Sequence, residues 1–541
     1  MATPLLQIRN LGIATQTRHG LLPVDILKGI DVDLARGQVL GLIGESGAGK
    51  STLGLAALGY LRRGLKRVTG NVTLDSKLFN LDDVTSVQEM RGRLVCYVAQ
   101  SAAAAFNPAH KLLNQVIEVA QIHGNVAGTT AKKRALELFG RMGLPDPEQF
   151  GNRYPHEVSG GQLQRAMTAM ALVGQPDLIV FDEPTTALDV TTQIDVLAII
   201  KDVIEEFGTA AIYVSHDLAV VAQIADRIKV LRHGAEIEEQ ATRDLLDHPR
   251  EAYTRELLAV RHAADVKPRA MEGGPILAVE NVSAAYGSSR ILDDINIELR
   301  QGANLAIVGE SGSGKSTLAR VMTGLLPPIS GQVRHHGRLL PAALRERSQS
   351  IRKNIQLIYQ SPDIAMNPRQ RVFDIVGRAA VRLAGLSKRE AYVRTRELLE
   401  MVELSVSLGK SFPGQLSGGQ KQRVCIARAL AADPEIIICD EITSALDPLV
   451  AEGIIKLLAR TQEALGVSYI FITHDIGLVR SVADDVVVMR EGRVVEQGPR
   501  VDIFAPPQDD YTHLLISSTP ITAPGWLEQV VAARRTEAGG H

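Results

Sequence analysis

Two tandem α/β domains are expected, and three observations predict them. GESGAGKSTL at 44–53 returns as GESGSGKSTL at 309–318 with a single difference, so the chain contains a duplication. Uncharged apolar runs at Val39–Ile43, Leu178–Phe181 and Ala210–Val214 read as buried strands, which need helices on both faces. Between the glycine loop and a later SGGQ, Ala135, Leu138, Phe139 and Met142 fall at i, i+3, i+4 and i+7, one face of a helix in a helical insertion.

The repeat continues in order. VSGGQLQR from Val158 answers LSGGQKQR from Leu416, VFDEPTTALD answers ICDEITSALD, and YVSHDL answers FITHDI. After the last strand of each copy, IKVLRHGAEIEEQ and VVVMREGRVVEQG read as hairpins closed by a glycine turn. The expected division is 1–247 for the first domain, 248–275 for its C-terminal segment and a linker containing HPR, KPR and EGGP, 276–500 for the second domain and 501–541 for a tail.

Composition narrows the function classes. With 45% hydrophobic and 22% charged residues, the 541-residue chain has the makings of folded cores rather than disorder. Its 59 basic and 61 acidic residues balance without long blocks of one sign, so nucleic acid is not an expected partner. Cys96, Cys425 and Cys439 lie far apart with no metal-ligand spacing and are expected to be buried thiols. MATPLLQIRN lacks the pattern of a signal peptide, and no run of about 20 apolar residues is long enough to span a bilayer.

The motifs carry the chemistry. Gly44, Glu45, Ser46, Gly47, Ala48, Gly49, Lys50, Ser51 and Thr52 follow a strand and open a helix; so do Gly309, Glu310, Ser311, Gly312, Ser313, Gly314, Lys315, Ser316 and Thr317. In that context the backbone N–H groups and the helix N-terminus cradle phosphates, Lys50 or Lys315 reaches the β and γ oxygens, and Ser51 or Ser316 ligates magnesium. Asp182 and Asp440 end the apolar runs LIVFD and IIICD, where a carboxylate meets the same magnesium. Glu183 and Glu441 follow them directly, placed to polarise an attacking water, and His216 and His474 follow the next strand, facing the γ-phosphate.

Together these residues resemble the ATP-binding cassette ATPases over both halves of the chain. The resemblance rests on SGGQ between the glycine loop and the DE pair, a glutamine after a strand at Gln100 and Gln360, ALD after the glutamate, and the final histidine. It implies two P-loop nucleotide-binding domains, each a RecA-like core with an antiparallel β subdomain and a helical subdomain, binding ATP and Mg2+. It further implies a head-to-tail pairing. ATP held by Lys50, Gln100, Asp182, Glu183 and His216 would be covered by Ser417, Gly418 and Gly419, and the other site would use Lys315, Gln360, Asp440, Glu441 and His474 with Ser159, Gly160 and Gly161. Asp189 and Asp447 would cross between the sites, and Gln100 and Gln360 would join the serine and aspartate as magnesium ligands.

A narrower resemblance lies around those motifs. Asn-Pro follows each glutamine in AQSAAAAFNP and YQSPDIAMNP, and the copies continue into HPREAYTRELL and APPQDDYTHLL. Both features are similar to the oligopeptide, dipeptide and nickel importer ATPases of bacteria, especially those with two fused cassettes. By themselves Tyr253 and Tyr511 read as ordinary packed aromatics. Two departures stand out: Tyr286 sits where the family stacks an aromatic on adenine, but Thr15 holds that place in the first copy, and DEP becomes DEI at Ile442. Arg18 or His19 in the longer first-copy loop is an alternative cover for that adenine. Some relatives carry a cysteine cluster near the C-terminus; neither tail here has a cysteine, so no iron–sulfur cluster is expected.

The function implied is that of the ATP-hydrolysing subunit of a bacterial importer of peptides or a related small solute, peripheral on the cytoplasmic face of the inner membrane. Two permease subunits, docking near Gln100 to Pro108 and Gln360 to Pro368, and an extracytoplasmic solute-binding protein would be its partners. An opine-like conjugate or a metal complex is an alternative cargo, and a twin-cassette ATPase acting on ribosomes or DNA is the rival class.

Overall fold

The computed structural model describes residues 4–16, 22–82, 90–123, 126–185, 188–259, 274–444 and 446–538. Two compact units result: Met1–Ala259 together with Pro520–His541, and Val260–Thr519. Arg18 and His19, and most of the expected linker, lie outside the described residues.

In the first unit a six-stranded sheet has the order Ala235–Ala241, Arg227–Arg232, Val39–Gly44, Ala210–Val214, Leu178–Asp182, Val95–Val98. All its pairings are parallel except the Arg227–Arg232/Ala235–Ala241 hairpin. Leu178–Asp182 and Ala210–Val214 are buried at every position, as central strands covered on both faces must be. His233 and Gly234, at φ 49° and 81°, close the hairpin with both turn residues left-handed, a geometry that matches strand twist.

A second, antiparallel sheet has the order Asp25–Leu34, Leu6–Thr15, Leu65–Leu74, Lys77–Phe79. Its strand Asp25–Leu34 alternates buried and exposed positions in its second half, the mark of a sheet wet on one face. The helix Lys50–Ala57 lies between the sheets: Leu53, Ala56 and Ala57 share one core with Val180, Ile212 and Val214 on one side and Leu6, Ile8 and Ile30 on the other. The helical insertion includes Leu112–His123, Gly128–Arg141 and Gly160–Leu172. Ala135, Leu138, Phe139 and Met142 are buried as their spacing predicts, and Phe139 meets Phe150 edge-on at 5.4 Å.

The second unit repeats this plan. Its six strands run Ile355–Ile358, Ile436–Asp440, Ser468–Ile472, Asn304–Val308, Asp485–Arg490, Arg493–Pro499, and its antiparallel sheet runs Ser289–Arg300, Pro275–Tyr286, Ser330–His335, Arg338–Leu339. Leu318, Val321 and Met322 of the helix Lys315–Thr323 pack between Ile436, Ile438 and Ile470 and the antiparallel sheet's Leu277 and Val279. The insertion has its own core around Val376, Leu398 and Val424.

The tail read from the sequence as one segment, 501–541, is divided by the contacts at Thr519. Asp510–Ser517 stays with the second unit, whereas Trp526–Ala538 packs on the first unit's helix Val190–Phe207. Leu527 is buried there, and its N–H donates to Gln223 Oε1 at 3.2 Å. Gln223 Nε2 in turn donates to the carbonyls of Ile521 and Ala523, Arg534 reaches Asp195 at 3.0 Å, and Lys201 pairs with Glu528. All three cysteines are buried free thiols; burial pushes Cys96 up to about 12 and Cys425 up to about 11. Among the described residues no helix is long and apolar enough to cross a membrane.

Candidate functional site

Each six-stranded sheet gathers its chemistry at the carboxyl ends of adjacent strands. In an open parallel sheet that edge is where backbone groups and loop side chains converge. The loop from Gly44 to Ser51 leaves Val39–Gly44 and enters Lys50–Ala57. Gly44 has φ 143°, and a Cβ there would lie 2.0 Å from the Leu231 carbonyl; Gly309 has φ 149° and would meet the Met489 carbonyl at 2.1 Å. Only glycine lets the loop leave the strand so close to its neighbour. Gly49 and Gly314 then cap the helices at φ 98° and 101°, turning the first-turn N–H groups toward the loop.

Lys50 Nζ donates to the carbonyls of Gly44 and Glu45, at 2.6 and 3.0 Å, and Lys315 Nζ does the same to Gly309 and Glu310, at 2.8 and 2.7 Å. The ammonium is thus held inside the loop that the motif wraps around phosphate. Ser51 Oγ donates to Asp182 Oδ1 at 2.9 Å, and Ser316 Oγ to Asp440 Oδ1 at the same distance. Both aspartates are buried. Burial pushes the Asp440 carboxyl up, Glu441 adds to this, and the Ser316 hydrogen bond and Lys315 offset part of it. A hydroxyl and a buried carboxylate side by side form the hard oxygen donor pair that suits Mg2+.

One residue further, Glu183 and Glu441 have φ 50° and 47°, a left-handed backbone that glutamate rarely adopts. Their carboxylates are held from both sides. Gln100 Nε2 donates to Glu183 Oε2 at 2.8 Å and His216 Nδ1 lies 3.2 Å from Oε1; Gln360 and His474 meet Glu441 at 2.6 and 3.4 Å. Hydrogen bonding and charge from Glu441 hold the His474 imidazole above its usual range against burial. Burial raises Glu441, but the His474 hydrogen bond and charge, with Lys315, outweigh it and leave the carboxyl below its usual range. A carboxylate kept ionised and aimed by two partners can accept a proton from water.

Ser159 and Ser417 are the N-caps of Gly160–Leu172 and Gly418–Leu430, each closing a capping box with the glutamine three residues on. Gly160, Gly161, Gly418 and Gly419 thereby form the first turns of these helices. Asp189 caps Val190–Phe207 through the N–H of Thr192 and the Thr191 hydroxyl; burial opposes its ionisation, but these bonds hold the carboxyl low. Asp447 stands at the same place before Pro448–Leu465 without a side-chain cap bond. Tyr286 is 43% exposed, with Arg320 donating to its hydroxyl at 2.7 Å, whereas the Thr15 hydroxyl accepts from the Val24 N–H.

Two groups at the site escaped the sequence reading. Tyr97 donates to Asp182 Oδ2 at 2.6 Å, fixing the second carboxylate oxygen; the corresponding position three residues before Gln360 is Leu357, so a search for repeated residues passes over it. Tyr511 is more than a packed aromatic: its hydroxyl accepts the phosphate-loop N–H of Glu310 at 3.0 Å while Arg490 lies 5.0 Å from the ring. The matching Tyr253 keeps the cation, Arg232 at 4.5 Å, and interacts with the matching loop residue Glu45, but its hydroxyl makes no well-directed hydrogen bond among the described residues. The recurring AYT and DYT were the available signal.

Comparison with known proteins agrees with this geometry. The family described as ABC transporter matches residues 27–186 and 292–444, and the oligopeptide/dipeptide transporter C-terminal region matches 495–539. The peptidoglycan transport ATP-binding protein YejF of Agrobacterium fabrum is 35% identical, over 95% of this chain and 96% of its own. The oligopeptide transport ATP-binding protein OppD of Mycobacterium tuberculosis is 32% identical over 96% and 98%, and the glutathione import ATP-binding protein GsiA of Escherichia coli O157:H7 is 34% identical over 96% and 90%. An archaeal ribosome recycling factor, aABCE1, solved with the stalk protein aP1, matches with a TM-score of 0.63 over 91% of this chain and 90% of its own, at 20% identity, and shows the shared fold alone. With both cassettes matched and relatives above 30% identity along nearly its whole length, the chain belongs to the ABC transporter family as a twin-cassette ATPase.

Proposed function

We propose that this chain is the ATP-hydrolysing subunit that energises import of peptides or a related small solute through a bacterial membrane transporter. The observation that carries this reading is the pair of complete sites: each cassette has lysine, serine, aspartate, glutamine, glutamate and histidine gathered at the strand ends, plus a peptide-importer type of tail. YejF, OppD and GsiA are ATP-binding proteins named for peptidoglycan, oligopeptide and glutathione, which supports a peptide-like cargo.

In this reading the cassettes pair head to tail. ATP on Lys50 is covered by Ser417, Gly418 and Gly419, ATP on Lys315 by Ser159, Gly160 and Gly161, and Asp189 and Asp447 reach across. Ser51 with Asp182 and Gln100, and Ser316 with Asp440 and Gln360, would hold Mg2+, which would supply charge neutralisation at the phosphates. Glu183 and Glu441 take the proton of the attacking water, and His216 and His474, already against those carboxylates, fix their aim and face the γ-phosphate. Hydrolysis then releases the closed pair, and the motion passes to separate permeases.

The segments following the two glutamines support that coupling. Ile364 is 85% exposed in the short helix Pro362–Ala365, and Ala103, Ala104 and Ala105 are exposed in the matching helix of the first cassette. Apolar surface beside a residue that bonds the catalytic glutamate is where two permease helices would dock, placing the chain on the cytoplasmic face of the membrane. A ribosomal role has no comparable support, since the likeness to aABCE1 is one of fold. The test is reconstitution of the chain in vesicles with candidate permeases and a loaded solute-binding protein. ATPase stimulation together with peptide uptake is expected; equal rates with and without the membrane subunits would overturn the reading.

A further inference from the structure

We propose that the second cassette carries a transition-metal site, of the kind that takes Zn2+, built from His335, His336 and Glu435 at the end of the sheet remote from the nucleotide. His335 ends the strand Ser330–His335, and His336 opens the turn to Arg338–Leu339. Glu435 precedes the strand Ile436–Asp440. The five strand residues between Glu435 and Glu441 put roughly 16–17 Å between this cluster and the Asp440 end, from the usual rise per residue.

The geometry is that of a ligand set. Nε2 of both imidazoles lies 2.9 Å from the same oxygen, Glu435 Oε2, and the three donor atoms all fall within 4.8 Å of one another. Tetrahedral zinc with bonds of about 2.0–2.2 Å separates its ligands by roughly 3.3–3.6 Å, so an ion enters when the carboxylate oxygen backs off a few tenths of an ångström from each ring nitrogen and the two nitrogens, at most 4.8 Å apart, settle to that separation. Asn354 Nδ2 donates to the other carboxylate oxygen, Oε1, at 3.0 Å, which turns Oε2 toward the two rings, the supporting role that outer partners play around metals. The backbone of Glu435 is fixed as well: its N–H donates to the Asn354 carbonyl and its own carbonyl accepts from Ser468.

A further observation points to a ligand. His335 is only 8% exposed, and its Nε2, though 2.9 Å from Glu435 Oε2, makes no well-directed hydrogen bond among the described residues. A buried ring nitrogen left in that state costs free energy that a metal bond would recover. The half-exposed His336 leaves the fourth position open to water.

The first cassette is an internal control. Strand pairing sets Leu74 against Leu6 where His335 stands against Leu277, so the matching residues are Leu74 and Asp75. Leu74 is fully buried in the core, and the acid matching Glu435, Asp177, pairs with Arg36. In the second cassette the place of Arg36 is taken by Gln301, so the acid's cationic partner and the apolar plug are replaced together by two histidines. The ion would staple the turn of the small antiparallel sheet to the core strand that ends in Asp440.

The test uses the full chain, with any affinity tag removed, stripped of metal with EDTA and studied without nucleotide. Zn2+ is titrated in competition with a chromophoric chelator, and the thermal midpoint is followed with and without Zn2+; Co2+ reports the ligands by its absorption. Wild type should bind one Zn2+ per chain that His336→Ala and Glu435→Gln weaken by about 10–100-fold or more, with loss of the thermal shift, while Mg2+-dependent ATPase of metal-stripped His336→Ala stays at the wild-type level. The double change His335→Leu, His336→Asp should abolish binding. Zinc affinity unchanged in His336→Ala, or a Co2+ spectrum with thiolate character, would overturn the proposal. His336 is half exposed, so that variant reports even if Glu435→Gln folds poorly.

Discussion

The two cassettes share one fold and match closely in what would touch phosphate, but differ in several side chains around it. Serine meets aspartate at 2.9 Å in both, and lysine grips the same two loop carbonyls. Around that shared centre, Tyr97 bonds Asp182 where the second copy has Leu357; Tyr286 offers a ring while Thr15 holds a backbone N–H; and Tyr511 accepts the Glu310 N–H at 3.0 Å while Tyr253 meets Glu45 without a well-directed bond. The difference teaches which contacts the chemistry constrains. A phosphate chain has one geometry, so both loops must match it, whereas a base, a second carboxylate oxygen or a supporting tail can be held in several ways.

The strongest test of the symmetry is removal of the two glutamates separately. Glu183→Gln and Glu441→Gln should each lower steady-state ATPase by about 10²-fold if each supplies a general-base contribution and the two sites are coupled. Full turnover in one variant would mean that its site is idle and that matched geometry does not imply matched work.

The tail helix sharpens the comparison next, because only the first unit receives it. Leu527→Ala removes a buried side chain from the Trp526–Ala538 contact and should cost about 2–4 kcal/mol in that unit. Calorimetry should show the transition of the first unit move down while that of the second stays, since separate units need not melt together. A uniform shift would show that the two units melt as one.

Base recognition should differ by a smaller amount. With Lys50 or Lys315 disabled in turn, ATP and GTP titrations report the remaining site. Tyr286→Ala should weaken ATP at the Lys315 site by about 1–3 kcal/mol, and Thr15→Tyr should strengthen it at the Lys50 site. Equal ATP affinities and equal discrimination in the two parent sites would break the idea.

Tyr97→Phe removes one hydrogen bond to a buried carboxylate, an effect of about 1–3 kcal/mol at most. It should raise the Mg2+ concentration needed for ATP binding at the Lys50 site, with Leu357→Tyr acting in the opposite sense at the other. Unchanged Mg2+ dependence in both would leave Tyr97 a packing residue.

The smallest expected effect is on pH. Glu441 is depressed from 4.5 in the folded protein, so its contribution is complete above that value and lost as pH falls through the lower folded value. His474 is raised from 6.5, so its contribution is complete below 6.5 and lost as pH rises through the higher folded value. The ion pair is therefore strongest between about 4.5 and 6.5, and NMR titration of His474 should show its elevated midpoint fall in Glu441→Gln. An unmoved midpoint would separate the two residues energetically.

The duplication, the strand-loop-helix around each lysine, the glycine-turn hairpins and the helix face at Ala135, Leu138, Phe139 and Met142 were legible in the amino-acid order. Each of these is local: a periodicity, or a loop whose glycines answer a nearby carbonyl. The amino-acid order also singles out the residue types expected at the site, because they recur twice in the same order. Which atoms meet depends on the folded chain. Tyr97 and Asp182 are 85 residues apart in sequence and Tyr511 and Glu310 are 201, and the first pair has no counterpart in the other copy, where Leu357 takes the place of Tyr97. His335, His336 and Glu435 are joined only because a hairpin turn and the start of a core strand fold to the same end of the sheets, and Trp526–Ala538 leaves the second cassette to pack on the first. Side chains that converge through sheet packing leave no spacing in the chain, since the distance between them is set by the sheets and not by the residues that separate them.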